Sequence, residues 1–163
     1  MTYYIFLDID GVLNDEEYIR QCWEMNGGYP MSMNWVPFDP RALTNLMNLV
    51  KVIREYGEPK IILSSTWRLH ETDIEIVKAR IAEYGLRIVD KTPYIHSKRG
   101  LEIQDFLSKQ DDKDYSFVIL DDDLFDIKDL YEKNLVLVDR YYGLSNRDVD
   151  KALKILDIER KQI

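Results

Sequence analysis

Four short stretches of the 163-residue chain place oxygen-bearing or cationic side chains beside apolar runs. Asp8 and Asp10 follow Tyr3–Leu7 and lead into Gly11. Ser64 and Ser65 follow Ile61–Leu63, and Asp121, Asp122 and Asp123 follow Val118–Leu120. Lys98 and Arg99 open a segment whose apolar residues are Leu101, Ile103, Phe106 and Leu107. Carboxylates gathered in one place repel one another, and the usual resolution is a hard divalent cation with oxygen ligands. Magnesium is the natural candidate, because it takes one or two carboxylates, keeps several waters and accepts a substrate phosphate oxygen. A hydroxyl and a cationic side chain complete a cradle for that phosphate, so the set reads as phosphoryl chemistry. Asp8 has the chemistry to serve as nucleophile through an aspartyl-phosphate, which splits one displacement into two easier ones, and Asp10 to move protons.

These residues act together only if the fold brings them to one place. Tyr3–Leu7 is a continuous apolar and aromatic run of the kind buried on both faces of a parallel sheet. Asp39-Pro40 supplies an N-cap and a first-turn proline for a helix through Leu43, Leu46, Met47, Val50 and Ile53, stopped by Gly57 and Pro59. Lys60–Leu63 is a second strand, and Thr72-x-x-Glu75 reads as a capping box opening a helix that ends near Gly85. Ile88-Val89 is a short third strand, Ser97 a candidate cap for the next helix, Ser116–Leu120 a fourth strand and Leu135–Val138 a fifth. Ser145-x-x-Asp148 caps a last helix that turns Val149, Ala152, Leu153 and Leu156 inward. Strands alternating with helices give an α/β fold, a Rossmann-like doubly wound parallel sheet flanked by helices. In such sheets ligands bind outside the carboxyl ends of the strands, where Asp8, Asp10, Ser64 and Asp121 fall.

Lys and Arg number 22 against 30 Asp and Glu, a net charge of −8. That is the wrong sign for a broad footprint on duplex nucleic acid or an anionic membrane, so no extended nucleic-acid surface and no membrane contact are expected. The charge is uneven: residues 111–129 hold eight acidic and two basic residues, around the proposed metal loop. Cys22 is the single cysteine, and no long uncharged apolar run occurs, which points to a soluble, cytoplasmic protein. His70 and His96 lack metal-ligand spacing and are assigned nothing.

The first of these stretches, Asp8-Ile9-Asp10-Gly11-Val12-Leu13-Asn14, resembles the opening motif of the haloacid dehalogenase (HAD) superfamily of aspartate-nucleophile phosphatases. Ile61–Ser64 is similar to the second motif, Lys98-Arg99 to the third and Val118–Asp122 to the fourth, in the expected order. With Ser65-Thr66-Trp67-Arg68 and Arg99–Ile103, the pattern resembles small phosphatase-like domains of bacterial, phage and nucleic-acid-repair proteins. The resemblance implies that Asp8 is nucleophile and metal ligand, and that Asp10 is an acid/base that also ligates the metal through its backbone carbonyl. It implies that Ser64, or Ser65 in its place, bonds the phosphoryl group and that Lys98 or Arg99, with Arg99 favoured, neutralises its charge. Asp121 and Asp122 would hold magnesium directly or through water, with Asp123 and Asp126 leaving the register open by one residue. Relatives that act as dehalogenases typically lack the second aspartate, so Asp10 points to a phosphatase or phosphotransferase. The implied substrate is a nucleotide, a nucleic-acid terminal phosphate or a small phosphometabolite.

Residues 14–39, where the superfamily often inserts a cap, are too few for a large one, so a single domain spanning 1–163 with at most a short flap-like insert is expected. The insert carries Tyr18, Trp23, Gly27-Gly28, Tyr29, Trp35 and Phe38, expected to pack as a small satellite core, with a flap or a base-stacking surface as the alternative. The competing functional class is a non-hydrolytic phosphate-binding or phosphoacceptor module similar to receiver domains. Those place the acidic pair after the first strand and the acceptor after the third, the reverse of the order found here.

Overall fold

The computed structural model describes residues 1–27 and 36–160. Five strands form one parallel sheet in the order β3-β2-β1-β4-β5: β1 Thr2–Leu7, β2 Glu58–Leu63, β3 Ile88–Lys91, β4 Tyr115–Asp121 and β5 Leu135–Leu137. The helices are α1 Glu16–Met25, α2 Pro40–Arg54, α3 Glu71–Ala82, α4 Arg99–Ser108, α5 Ile127–Tyr131 and α6 Asn146–Ile155. Successive strand residues point to opposite faces, and both faces of β1 are apolar because both are covered. Ile5 and Leu7 join Ile61, Leu63, Val118 and Leu120 beneath α2, α3 and α6, where Leu46, Ile53, Val77, Ile81, Val149 and Ala152 are buried. Tyr4 and Phe6 join Ile62 and Ile119 beneath α4 and α5, against Ile103, Phe106 and Ile127. The Phe6 ring meets Phe106 edge-on at 5.6 Å and Phe117 at 5.8 Å. This is the doubly wound α/β sheet expected from the alternation of strands and helices.

The pairing register does the work of assembling the chemistry. Leu7 is paired with Leu63 on one side and Leu120 on the other, so the residues that follow them, Asp8, Ser64 and Asp121, emerge at one level of the carboxyl edge. Ser64 N–H donates to Leu7 O at 2.8 Å and Asp8 N–H to Leu120 O at 3.0 Å, which carries the ladder to those three residues.

Two helix starts differ from the sequence reading. The Thr72/Glu75 capping box does not open α3. A 3-10 turn, Thr66–Leu69, delivers the chain to His70, which caps through its backbone alone, so the helix begins at Glu71. Ser97 does not cap α4, since His96 and Ser97 both have positive φ (50° and 59°) where a capping serine needs extended backbone. The Asp126 carboxylate caps that helix from a distance, accepting from Gly100 N at 2.6 Å and Leu101 N at 3.0 Å. By contrast, Asp39 with Pro40 starts α2 and the Ser145/Asp148 capping box starts α6 as read from sequence.

The insert does not form a satellite core among its described residues. It begins with α1, which the sequence reading omits although Asp15 caps it and Tyr18, Ile19, Cys22 and Trp23 recur at helical spacing; none of its residues is buried, and Trp23 is exposed. Phe38 belongs to the main core, edge-on to Trp67 at 5.6 Å with the Arg80 guanidinium over its ring. Gly28, Tyr29 and Trp35 lie outside the described residues.

Candidate active site

The site is built where β1, β2 and β4 end. Asp8, Asp121 and Asp122 each bring one carboxylate oxygen within 4.8 Å of the others. Arg99, at the start of α4 and only 5% exposed, reaches across them. Its Nη1 donates to Asp121 Oδ2 at 2.8 Å and to Ser64 O at 2.5 Å, and lies 3.6 Å from Asp8 Oδ1. One guanidinium therefore touches the ends of all three strands. Lys98 precedes the first helical residue, stands exposed and makes no ion pair with the cluster among the described residues, so the expected separation of the two follows from where α4 begins.

The two serines divide in the same way. Ser65 Oγ accepts from Trp67 N at 3.3 Å and caps the 3-10 turn, so its hydroxyl is committed to the backbone. Ser64 Oγ is buried without a hydrogen-bond partner among the described residues. A buried hydroxyl left unpaired costs free energy unless another group satisfies it, and Ser64 Oγ is free to accept or donate at the strand end.

The acidic loop also separates into individual roles. Asp121 is fully buried against Arg99, and Asp122 is partly buried in the cluster. Asp123 lies outside it, exposed, accepting from Phe125 N at 3.4 Å. Asp126 caps the α4 N-terminus and lies outside the group of clustered carboxylates.

Asp10 is set by two donors to the same oxygen: Asn14 Nδ2 at 2.8 Å and Trp67 Nε1 at 2.9 Å both bond Oδ1. A proton carried by Asp10 therefore sits on Oδ2. Asn14 in turn accepts from Gly11 N through Oδ1 at 2.9 Å, closing the loop on itself. Gly11 is required here: its φ is +78°, and a Cβ at this position would fall 2.3 Å from Asp122 Oδ2.

The residues that hold Arg99 went unassigned from sequence, although several lie in the stretches that resemble the HAD motifs. Glu102, fully buried, places Oε1 3.5 Å from Arg99 Nε, and its Oε2 meets Arg68 Nη2 at 2.8 Å and accepts from Ile95 N at 2.9 Å. Arg68 is anchored by the carbonyls of Ser65, Thr92 and Pro93. Over the outer face of Arg99 lies the Phe125 ring, 4.7 Å from the guanidinium carbon, on a residue held at φ 44°. Left-handed backbone is rare for a bulky residue, and it is what aims this ring.

With this geometry in place, comparison with known families is decisive. A family described as the HAD domain in Swiss Army Knife RNA repair proteins matches residues 4–149. The chain belongs to this family. No curated protein and no solved structure matches it.

In this HAD domain, burial is the main force on the central carboxyls. Burial and then the Asp121 charge push the Asp8 carboxyl well above the usual carboxylate range, with Arg99 pulling the other way. Asp121 is pushed up to about 7 by burial, against the opposing pull of Arg99. Burial thus disfavours the charged forms of these carboxyls more than the one buried guanidinium favours them. Its donors fit magnesium: the cluster contains carboxylate oxygens and neither nitrogen nor sulfur, and an unpartnered hydroxyl is buried where the neighbouring strand ends. No helix among the described residues is long and apolar enough to cross a membrane.

Proposed function

We propose that this HAD domain is a magnesium-dependent phosphomonoester hydrolase that works through an aspartyl-phosphate on Asp8, acting on a nucleotide or a nucleic-acid terminal phosphate in the cytoplasm, with residues 1–163 as one catalytic unit. The observation that carries the reading is that Arg99 touches Asp8, Asp121 and the Ser64 carbonyl, while the Ser64 hydroxyl is left buried and unpaired. Asp8, Asp121 and Asp122, with the Asp10 carbonyl, would hold magnesium, which supplies positive charge for the phosphoryl oxygens.

In the first step an Asp8 carboxylate oxygen attacks phosphorus and the bond to the leaving oxygen breaks. The proton on Asp10 Oδ2 passes to that oxygen, and the alcohol departs. In the second step Asp10 takes a proton from water, the water oxygen attacks phosphorus, and the bond to Asp8 breaks to release inorganic phosphate. Arg99 and the Ser64 hydroxyl hold the phosphoryl oxygens throughout. Trp67 and Asn14 keep Asp10 facing the leaving group, and burial of Asp8 strips water from the nucleophile.

The family description names RNA repair, which favours a nucleic-acid end among the candidate substrates. The net charge of −8 restricts contact to a short terminus. Turnover of a generic aryl phosphate with magnesium tests the activity. Asp8→Asn, which keeps the shape and removes the nucleophile, should abolish it, and retained activity would overturn the mechanism. A panel of mononucleotides, end-phosphorylated oligonucleotides, sugar phosphates and phosphopeptides tests the substrate, and a preference for sugar phosphates would reject the nucleic-acid assignment.

A further inference from the structure

The turn after β5 carries groups that the proposed hydrolysis does not use. Leu137 pairs with Asp121, and Val138 N donates to Asp121 O at 2.8 Å, so the chain leaving β5 runs beside the acidic loop. Arg140 then leans over that loop: Nε is 3.5 Å from Asp122 Oδ2, and Nη2 donates to Asp122 O at 3.4 Å and lies 3.9 Å from Asp123 Oδ2. These contacts are long, and the side chain is 54% exposed, so a better anion displaces them at little cost.

Beside Arg140 stand Tyr141 and Tyr142, 39% and 60% exposed, with ring centroids 4.8 Å apart at 87°. Two neighbouring phenol rings left in water contribute little to a core. Their backbone, however, is rigid. Tyr141 N bonds Asp139 Oδ1, Tyr142 N and Gly143 N bond Asp139 O, and the carbonyls of Arg140 and Tyr141 accept from Glu16 N and Glu17 N at the start of α1. Gly143, at φ +75°, closes the turn against Asp15 and Val12, where a Cβ would be 2.8 Å from Asp15 Oδ1. Rigid presentation lowers the ordering cost of binding, which is the condition under which exposed aromatics act as a platform.

We propose that Arg140, Tyr141 and Tyr142 form the subsite for the terminal nucleotide of an oligonucleotide. One tyrosine ring stacks on its base while the other, nearly perpendicular to it, meets the base edge-on, and Arg140 takes the phosphodiester next to the scissile phosphate. The proposal rests on the phosphatase reading of the Asp8 site and adds to it which residues select the substrate. A guanidinium beside aromatic faces is the chemistry of single-stranded nucleic-acid ends, where stacking is sequence-tolerant and contributes on the order of ten- to a hundred-fold in affinity per base. It also fits the acidic surface, since only one cation and one base are engaged.

Turnover of an aryl phosphate is measured first, and its absence overturns the phosphatase reading and this subsite with it. The enzyme is then compared on 5′- and 3′-phosphorylated dinucleotides and on ribose 5-phosphate, which presents phosphate and sugar without a base. The expected result is at least about a ten-fold preference in kcat/KM for the better dinucleotide. The double variant Tyr141→Ala/Tyr142→Ala should lower that ratio several-fold, leaving what Arg140 contributes, and Tyr141→Phe/Tyr142→Phe should keep it. Arg140→Gln should lower the preference for the dinucleotide over the mononucleotide and flatten its salt dependence. If the double alanine variant loses cooperative unfolding, Tyr142→Ala alone, at the more exposed position, gives the same reading. Aryl phosphate turnover without base preference in the wild-type enzyme, or a ratio unmoved by the variants, overturns the subsite while leaving the phosphatase reading standing. A preference for a phosphotyrosine peptide that the double variant removes overturns it in favour of a protein substrate.

Discussion

Replacing Asp15 by Asn should make the protein more stable at alkaline pH and leave it unchanged in acid. Asp15 and Asp39 are both buried, and each caps a helix at one end of the insert: Asp15 Oδ2 accepts from Tyr18 N at 3.0 Å, and Asp39 Oδ1 from Arg41 N at 2.9 Å. Asp39 has its counter-charge in Arg41, whose Nη2 is 3.2 Å from Oδ2, whereas Asp15 Oδ1 has no partner among the described residues. Burial first, then the hydrogen bond and charge of Asp39, pushes the Asp15 carboxyl up to about 7, with the Tyr18 N–H opposing. A raised folded-state pKa means that the folded protein holds a proton the unfolded chain releases. The stability it contributes is complete below the ordinary value near 3.8 and is lost as pH rises to about 7. At about 1.36 kcal/mol per unit the ceiling is roughly 4 kcal/mol, and relaxation of the carboxyl pair on ionisation brings the expected loss to about 2 kcal/mol. The Asn amide keeps an acceptor for Tyr18 N, offers an N–H toward Asp39 and never ionises. Thermal unfolding from pH 4 to pH 8 should therefore show Asp15→Asn close to the wild type at pH 4 and exceeding its Tm by about 4–8 °C at pH 8, with the gap opening between those values. An equal difference at both pH values, or a less stable variant at pH 8, would refute the reasoning, because either outcome makes the effect one of packing.

Three further substitutions test the site. Gly11→Ala places a Cβ 2.3 Å from Asp122 Oδ2 at φ +78°, so it should cost about 1–2 kcal/mol for the backbone and also abolish the rise in Tm on adding magnesium; a variant that still responds to magnesium would show that Asp122 is not a ligand. Arg99→Lys replaces a guanidinium that meets Ser64 O and Asp121 at once and stacks under Phe125, and turnover of an aryl phosphate should fall on the order of a hundred-fold. Wild-type turnover in that variant would remove Arg99 from the mechanism. Glu102→Gln leaves the buried Arg68 without its carboxylate, which should cost about 3–5 kcal/mol and lower Tm by roughly 10 °C by calorimetry; a shift under about 2 °C would mean that the three carbonyls on Arg68 suffice.

The sheet and two of its helix caps were legible because their signals are local. An apolar run buried on both faces reads as a central strand, and Asp39-Pro40 and Ser145-x-x-Asp148 carry their caps within one turn. What could not be read depends on contacts between distant segments. α1 is the exception: its Asp15 cap and the helical spacing of Tyr18, Ile19, Cys22 and Trp23 are local signals that the sequence reading passes over. Ser64 and Ser65 are the same residue type one position apart, and only the 3-10 turn that Ser65 caps separates them. Lys98 and Arg99 are separated by the level at which α4 begins, which is set by Asp126, 26 residues away from Gly100.

That last contact explains how so acidic a loop comes to contain its own answer. Asp121, Asp122, Asp123 and Asp126 look interchangeable in sequence, yet each ends up on a different partner: Arg99, the carboxylate cluster, the Phe125 amide and the α4 N-terminus. Asp126 holds Gly100 and Leu101, and a Cβ at Gly100 would be only 3.0 Å from both its carbonyl and its carboxylate, so this close approach favours glycine. Fixing the first turn of α4 fixes the residue just before Gly100, and that residue is Arg99. Phe125, carried on the same loop, then covers the guanidinium. The loop that concentrates negative charge beside Asp8 therefore also positions the cation that offsets it. A change at Asp126 would act on the site through the aim of Arg99, although Asp126 touches none of the three clustered carboxylates.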